Sequence, residues 1–390
     1  MKKSLYIFAA VVAAGCTIGA TGCGAPSRNV ATLSSNWYSN TNFKSIQPTF
    51  TQNNTPFAAE EISYDVKFKK NQGGNFTYTV DYADGNYTTL FYAAEFDYSK
   101  KEEGVNYVCD EFRKSYEDAA KDRPVIAYYY KTELNIPTVK FSCNGKEEEF
   151  KDDFTVTECW FLSVENQLRP LYSRQEIKSA SPANLQAATV ESAYELVHYE
   201  YTCYYDYNGT SVKCEKTDKL SADAKKTVTV TAGLDGAQNS LFDVAEYNIL
   251  ARALNLSETS FSQTVSVFTP SGGVGNCTLS GGVLPLPSTT DEDKQAKSHT
   301  ISQLTKNNLF LPKQNEDGSY SDLSTVAVTA VYHGSLNVNG LSQAYWFTAV
   351  ENERNNRGRA TMVRMEMPVP YNLGTSIYTL NEIKTTLWQK

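Results

Sequence analysis

Apolar residues recur at every second position through much of this chain, a period that suits half-buried strands and not amphipathic helices. Ile62, Tyr64, Val66 and Phe68 share one face, and Phe76, Tyr78, Val80 and Tyr82 repeat the pattern after Gly73-Gly74. Asp84-Gly85 tolerates positive φ at both positions and reads as a two-residue hairpin turn. That turn would pair Tyr82 with Tyr87, Val80 with Thr89 and Tyr78 with Phe91, which keeps the apolar faces in phase. The expectation is a three-strand antiparallel meander. Further strands are expected near 125–135, 138–143, 154–164, 171–180, 325–333, 343–350, 359–367 and 375–380, with Asn144-Gly145 as a second hairpin turn. The chain holds 26 Tyr against 4 Trp and 4 Met. Tyrosine is large and stiff with one polar end, and it favours strands and interfaces.

Two segments follow helical spacing instead. Val105, Val108, Cys109, Phe112, Tyr116 and Ala119 predict a helix over 105–121, closed by Pro124. Leu241, Val244, Tyr247, Leu250 and Leu254 predict another near 240–254, with Ser240 as cap and Asp243 at its positive end. Residues 271–293 are rich in Gly, Ser, Pro and Thr and read as a loop. An internal echo links the halves: Trp160-Phe161-Leu162-Ser163-Val164-Glu165-Asn166 returns as Trp346-Phe347-Thr348-Ala349-Val350-Glu351-Asn352. At the same offset Ile177 meets Val363, Lys178 meets Arg364 and Pro182 meets Pro368. The expected fold class is therefore mainly β. Antiparallel meanders form two sandwich-like lobes, 58–185 and 186–390, with one or two helices packed on them.

Cysteine spacing gives a sharper expectation. Asn208-Gly209 reads as a hairpin turn, and it sets Cys203 opposite Cys214 on the face that carries Tyr201, Tyr205 and Val212. Directly opposed residues lie within disulfide reach, so a Cys203–Cys214 bond is expected in an oxidising compartment. Cys143 and Cys159 lie on strands that could pair, while Cys109 and Cys277 suggest no partner. No metal site is expected. No two cysteines stand in a CxxC relation, and His198, His299 and His333 are not at ligand spacing. His198 alternates with Leu196 and Glu200 and reads as a structural or solvent-facing residue.

The N-terminus reads as an address. Met1-Lys2-Lys3, an apolar run from Leu5 to Ala14 and the small residues Ala20-Thr21-Gly22 before Cys23 form a secretory signal over 1–22. The run is too short to be a membrane span. Small residues leading into a cysteine resemble the lipobox of bacterial lipoproteins, a likeness confined to the signal. It implies cleavage before Cys23, acylation of that cysteine and an anchor in the lipid bilayer outside the cytoplasm. Ala13-Ala14-Gly15-Cys16 also fits the pattern, but Cys23 leaves the fuller hydrophobic region. Both sites carry Ala three residues before the cysteine, where the family has Leu. Residues 23–57, rich in Ser, Asn and Thr, read as a flexible tether. Losing 1–22 removes two lysines and no acid, which takes the net charge from −8 to −10. That balance argues against a nucleic-acid partner and against electrostatic adhesion to anionic headgroups.

Catalytic signatures are missing: the sequence holds no GxSxG, HExxH, Walker A loop or EF-hand. Gly272-Gly273-Val274-Gly275 lacks the Lys-Ser or Lys-Thr of a phosphate loop. Glu165 and Glu351, each at the end of a strand, could form a carboxylate pair for glycoside hydrolysis, but exposed turn acids are common. Tyr128-Tyr129-Tyr130 and the Tyr199–Tyr207 cluster could stack on sugars, although alternating tyrosines also serve simply to cover both faces of a sheet. The expectation is a non-catalytic, lipid-anchored surface protein without cofactor that binds a glycan or other polymer, a peptide or an envelope protein. The alternative is an exported glycoside or cell-wall hydrolase with no readable motif.

Overall fold

A computed structural model describes residues 58–71, 77–96, 125–164, 167–206, 211–222, 228–233, 242–243, 260–270, 273–283, 328–338, 341–350 and 359–387. The fold is mainly antiparallel β, as the alternation requires. The first strands are β1 (Ala58–Lys70), β2 (Tyr78–Tyr82), β3 (Gly85–Phe96), β4 (Val125–Cys143), β5 (Lys146–Val164) and β6 (Gln167–Pro182). Next come β7 (Tyr194–Tyr205), β8 (Ser211–Asp218), β9 (Val228–Gly233), β10 (Phe242–Asp243), β11 (Ser260–Thr269) and β12 (Gly273–Val283). The last four are β13 (Val328–Val338), β14 (Leu341–Val350), β15 (Arg359–Val369) and β16 (Gly374–Leu387). Among the described residues no α-helix occurs, only short 3-10 turns at Val190–Ser192 and Pro370–Asn372.

These strands make one 16-stranded sheet, ordered β10-β11-β12-β13-β14-β15-β16-β1-β3-β4-β5-β6-β7-β8-β9, with β2 beside β4. Two lobes divided at 185/186 do not describe this pairing. The division would fall between β6 and β7, which pair directly from Tyr172–Tyr204 to Pro182–Tyr194. The halves are also stitched through β1, whose thirteen residues pair with β16 from Ala58–Leu387 to Lys70–Gly374 while Glu60–Val66 pair with β3. The sheet then curls until its ends meet, with β10 against β6 and β9 against β12. The expected helix near 240–254 is corrected where it is described. Phe242 and Asp243 are extended and pair in parallel with Val267 and Phe268, because the ladder of β11 supplies backbone partners that a first helical turn would forgo. The expected helix over 105–121 lies outside the described residues.

The second correction concerns Asp84-Gly85. The chain does not reverse there: β2 pairs with the C-terminal part of β4 (Tyr82–Val139) and β3 with its N-terminal part (Asn86–Asn135). The step between them sits opposite Pro137, which offers no N–H to a ladder. Across β4 the same line is absorbed by Asp152, in the left-handed region at φ 60, between the pairs Ile136–Asp153 and Thr138–Lys151. Gly85 is required by a close approach, since a Cβ there would lie 2.4 Å from the Asn135 carbonyl oxygen. Asn144-Gly145 does turn the chain as expected, with φ 51 and 78, the double positive value of a type I′ turn.

The Trp-Phe echo has a structural counterpart. The β5–β6 register shifts between Trp160 and Phe161, skipping Leu171, and the β14–β15 register shifts between Trp346 and Phe347, skipping Val363. Val363 therefore takes the place of Leu171 and not of Ile177, because the β14–β15 connection is longer than the two residues between Val164 and Gln167. In both copies a 3-10 turn precedes the fourth strand, so β4–β7 and β13–β16 repeat one four-strand unit.

The inner face is a core of rings and hydroxyls. Transverse rows follow from register: Phe91, Tyr130, Cys159, Ser173, Cys203 and Cys214 in one, and Thr89, Thr132, Thr157, Gln175 and Tyr201 in the next. All of these side chains are buried. The packing predicts that Gly85→Ala lowers stability by about 1–3 kcal/mol, because the Asn135 backbone cannot give way. A urea midpoint equal to that of the parent would refute the close approach.

Candidate functional site

The outer face of β4–β8 carries an aromatic row built by the same register. Tyr129 pairs with Trp160, Trp160 with Tyr172, Tyr172 with Tyr204 and Tyr204 with Lys213. Ring centroids lie 4.9 Å apart for Tyr129–Trp160, a tilted pair, and 5.6 Å apart for Tyr172–Tyr204, which meet edge-on. Tyr129, Trp160 and Tyr204 keep part of their surface at solvent, while Tyr172 is buried. The row has polar fixtures at both ends. Tyr129 donates its hydroxyl to Glu158 Oε1 at 2.8 Å, and Lys213 lies 5.9 Å from the Tyr204 ring centre.

Beside the row lies an ion lattice. Arg174 bonds Glu200 and Glu176 at 3.2 Å each, Lys219 bonds Glu176 at 2.8 Å and Glu200 at 2.5 Å, and His198 Nε2 stands 3.0 Å from Glu176 Oε1. Glu176 and Glu200 face each other across β6 and β7. Partial burial would raise both carboxyls, but hydrogen bonds from Lys219 and His198 to Glu176, and from Arg174 and Lys219 to Glu200, hold them below the usual range. Both carboxyls shift the same way, whereas an acid–base couple has its two pKa values pushed apart. His198 stands partly exposed on β7 beside Glu176. Glu165 and Glu351, the sequence candidates for catalysis, lie outside the described residues, as do Cys23, Cys109 and Asn208-Gly209.

Cys203 and Cys214 are direct partners, as the spacing around Asn208-Gly209 requires. The expected disulfide is nevertheless corrected. Both are free thiols with Sγ atoms 3.1 Å apart, a hydrogen-bond distance and not a covalent one. Desolvation first, then the Cys214 neighbour, pushes the Cys203 thiol well above its usual range. Cys143 and Cys159 do not face each other. Cys143 pairs with Lys146 at the hairpin tip and Cys159 with Tyr130.

One buried acid escaped the sequence reading. Asp153 follows the left-handed Asp152 and turns inward, where its Oδ2 accepts the Ala180 N–H at 2.8 Å. The β5–β6 ladder ends at Phe154–Lys178, so the carboxylate takes over where the backbone partner is lost. Desolvation raises its pKa to about 6, against the pull of the Ala180 N–H and the Ser179 hydroxyl. The hydroxyls of Tyr78 and Tyr82 are buried nearby with no hydrogen-bond partner among the described residues. Burial pushes Tyr78 to about 12 and Tyr82 higher still, the Asp153 charge adding to the Tyr82 shift. The only sequence signal for this cluster was Asp152-Asp153 interrupting a strand.

Among the described residues no group of three or more His, Cys, Asp or Glu side chains could hold a metal ion. No protein-family model and no curated protein matches the chain. Among solved structures it is similar to a β-barrel-like protein of the domain of unknown function DUF1849 from Brucella abortus. That likeness covers 85% of this chain and 98% of that one, at 9% identity and a TM-score of 0.35.

The raised Asp153 pKa fixes the sign of a pH effect. A carboxyl at about 6 in the fold and 3.8 unfolded favours folding while protonated, so this stability is full below pH 3.8 and is lost as pH rises through 6. The loss is on the order of 3 kcal/mol at 1.4 kcal/mol per unit. Asp153→Asn keeps an acceptor for Ala180 and should exceed the parent in stability more at pH 7.5 than at pH 4.5. Urea midpoints that differ equally at both pH values would contradict the buried-acid reading.

Proposed function

We propose that this is a non-catalytic, lipid-anchored extracytoplasmic protein whose sheet body binds a glycan polymer along the outer aromatic row. The observation that carries the reading is the row itself. Tyr129, Trp160 and Tyr204 keep part of their surface at solvent on neighbouring strands, with the buried Tyr172 between them, and together offer apolar faces with polar rims, the surface chemistry that matches a sugar ring. Strand spacing of about 4.8 Å sets the step between successive rings, so the line suits an extended ligand better than a compact one. The acidic body and the lattice of paired charges keep the surrounding surface soluble without offering a free acid–base pair. The lipobox-like signal before Cys23 supplies the address and the anchor. Thirty-four residues separate Cys23 from β1. A Ser/Asn/Thr-rich coil of that length spans roughly 30–35 Å, enough to hold the body off a headgroup layer.

Two measurements test the parts separately. Mass spectrometry of the mature N-terminal peptide, from protein made in its own host, should show an acylated Cys23, and Cys23→Ala should release the protein from membranes. An unmodified N-terminus would overturn the anchor and leave the binding reading standing. Sedimentation with insoluble cell-wall glycan should retain the soluble body, and Trp160→Ala should weaken retention about tenfold, roughly 1.4 kcal/mol. Equal retention of the two would remove the row from the binding surface. Release of new reducing ends during the same incubation would favour the hydrolase instead.

A further inference from the structure

Where the two ends of the sheet meet, β10 makes a small polar contact with β6 and β7. Asp243 on β10 is fully buried, and its Oδ2 accepts hydrogen bonds from the Tyr205 hydroxyl on β7 and from Ser173 Oγ on β6, the latter at 2.5 Å. Its ladder partner Phe268, on β11, is also fully buried and meets the Tyr205 ring edge-on at 6.4 Å. One rung of the β10–β11 pair thus delivers a carboxylate and a ring to the same tyrosine. Behind that contact lie Cys203 and Cys214, with Ser173 opposite Cys203 and Cys159 opposite Ser173. Phe268 belongs to the same packed cluster as both cysteines, and Val274 of β12 closes over it.

A buried carboxylate is stable only while its hydrogen-bond donors stay in place, because its desolvation cost returns in full when they leave. Among the described residues, the attachment of β10 and β11 to β6 and β7 runs through Asp243, Phe268, Tyr205 and Ser173, whereas the β4–β5 and β5–β6 seams are long ladders. Elements held by few groups open locally at a lower free energy than the whole molecule.

We propose that β10–β11 is a latch over the Cys203–Cys214 pair, held by Asp243. Closed, it keeps both thiols from solvent and reagents. Lifted, it exposes the wall formed by Tyr205, Cys203 and Cys214 while the β1–β7 part of the sheet stays paired. Cys143 supplies an internal standard: it is a buried thiol at the β4 hairpin tip, bonded to the Ala187 carbonyl at 3.5 Å, with Tyr78 and Lys146 as its ladder partners, all outside the latch.

The test is alkylation of the full folded chain by N-ethylmaleimide, with the rate at each cysteine read by peptide mass spectrometry. Asp243→Ala should speed labelling of Cys203 and Cys214 at least tenfold and leave Cys143 within about twofold of the parent. Tyr205→Phe, which removes one donor and keeps the ring, should give a smaller acceleration with the same selectivity. Parallel acceleration of all three cysteines would mean global destabilisation and would overturn the latch. Unchanged rates at Cys203 and Cys214 in a variant with a parent-like circular dichroism spectrum would overturn it as well.

Discussion

The pairing of β1 with β16 is the constraint on which the rest of the sheet depends. It joins residues more than 300 positions apart. Long-range pairing of this kind pays its loop-closure entropy before any contact rewards it. The seam is then reinforced across the interior. Tyr64 donates its hydroxyl to the Met362 carbonyl on β15 at 3.2 Å, and its ring lies 5.6 Å from Tyr87 on β3. Tyr378 packs edge-on against Tyr87 from the other side. One cluster of tyrosines thus spans β16, β1 and β3, the three strands where the repeated units meet.

The abundance of tyrosine acquires a physical meaning in that core. A curled sheet has one inner face to fill, and the largest side chains buried in it include Tyr78, Tyr87, Tyr130, Tyr201, Tyr205 and Tyr378. Each ring carries a hydroxyl that needs an acceptor. The structure answers this differently along the sheet. Tyr64 reaches a backbone carbonyl and Tyr205 the Asp243 carboxylate. The Tyr78 and Tyr82 hydroxyls are buried without a hydrogen-bond partner among the described residues, and burial raises both, the Asp153 charge adding to the Tyr82 shift.

Local features were legible in the sequence to the extent that they depend on neighbours in the chain. The alternation named the inward residues Ile62, Tyr64, Val66, Tyr78 and Val80 correctly, and the hairpin turn read at Asn208-Gly209 set Cys203 against Cys214 in the observed register. Asp84-Gly85 misled because turn chemistry says where a chain can bend, not which partner it will take. The partner was decided by Pro137, fifty residues on, which breaks the β4 ladder and lets β2 and β3 share one neighbour. The outer aromatic row was legible only in part. Tyr129 and Tyr204 fall in the two tyrosine clusters that the sequence offered for stacking, but Trp160 and Tyr172 share no common spacing with them, and only the registers of three hairpins align the four. The burial of Cys203 and Cys214 with Phe268 is a contact across the sheet's closure that no local pattern encodes.

The placement of β1 also has a mechanical side. Any pull on the chain ahead of Ala58 enters the fold along the axis of a strand hydrogen-bonded on both flanks, to β16 over its full length and to β3 over Glu60–Val66. Such a load shears the rungs together instead of peeling them one at a time, so it is shared across the ladder. The strand that closes the sheet is thereby placed to bear traction, and resistance to being torn loose at that end becomes a matter of unfolding rate more than of equilibrium stability.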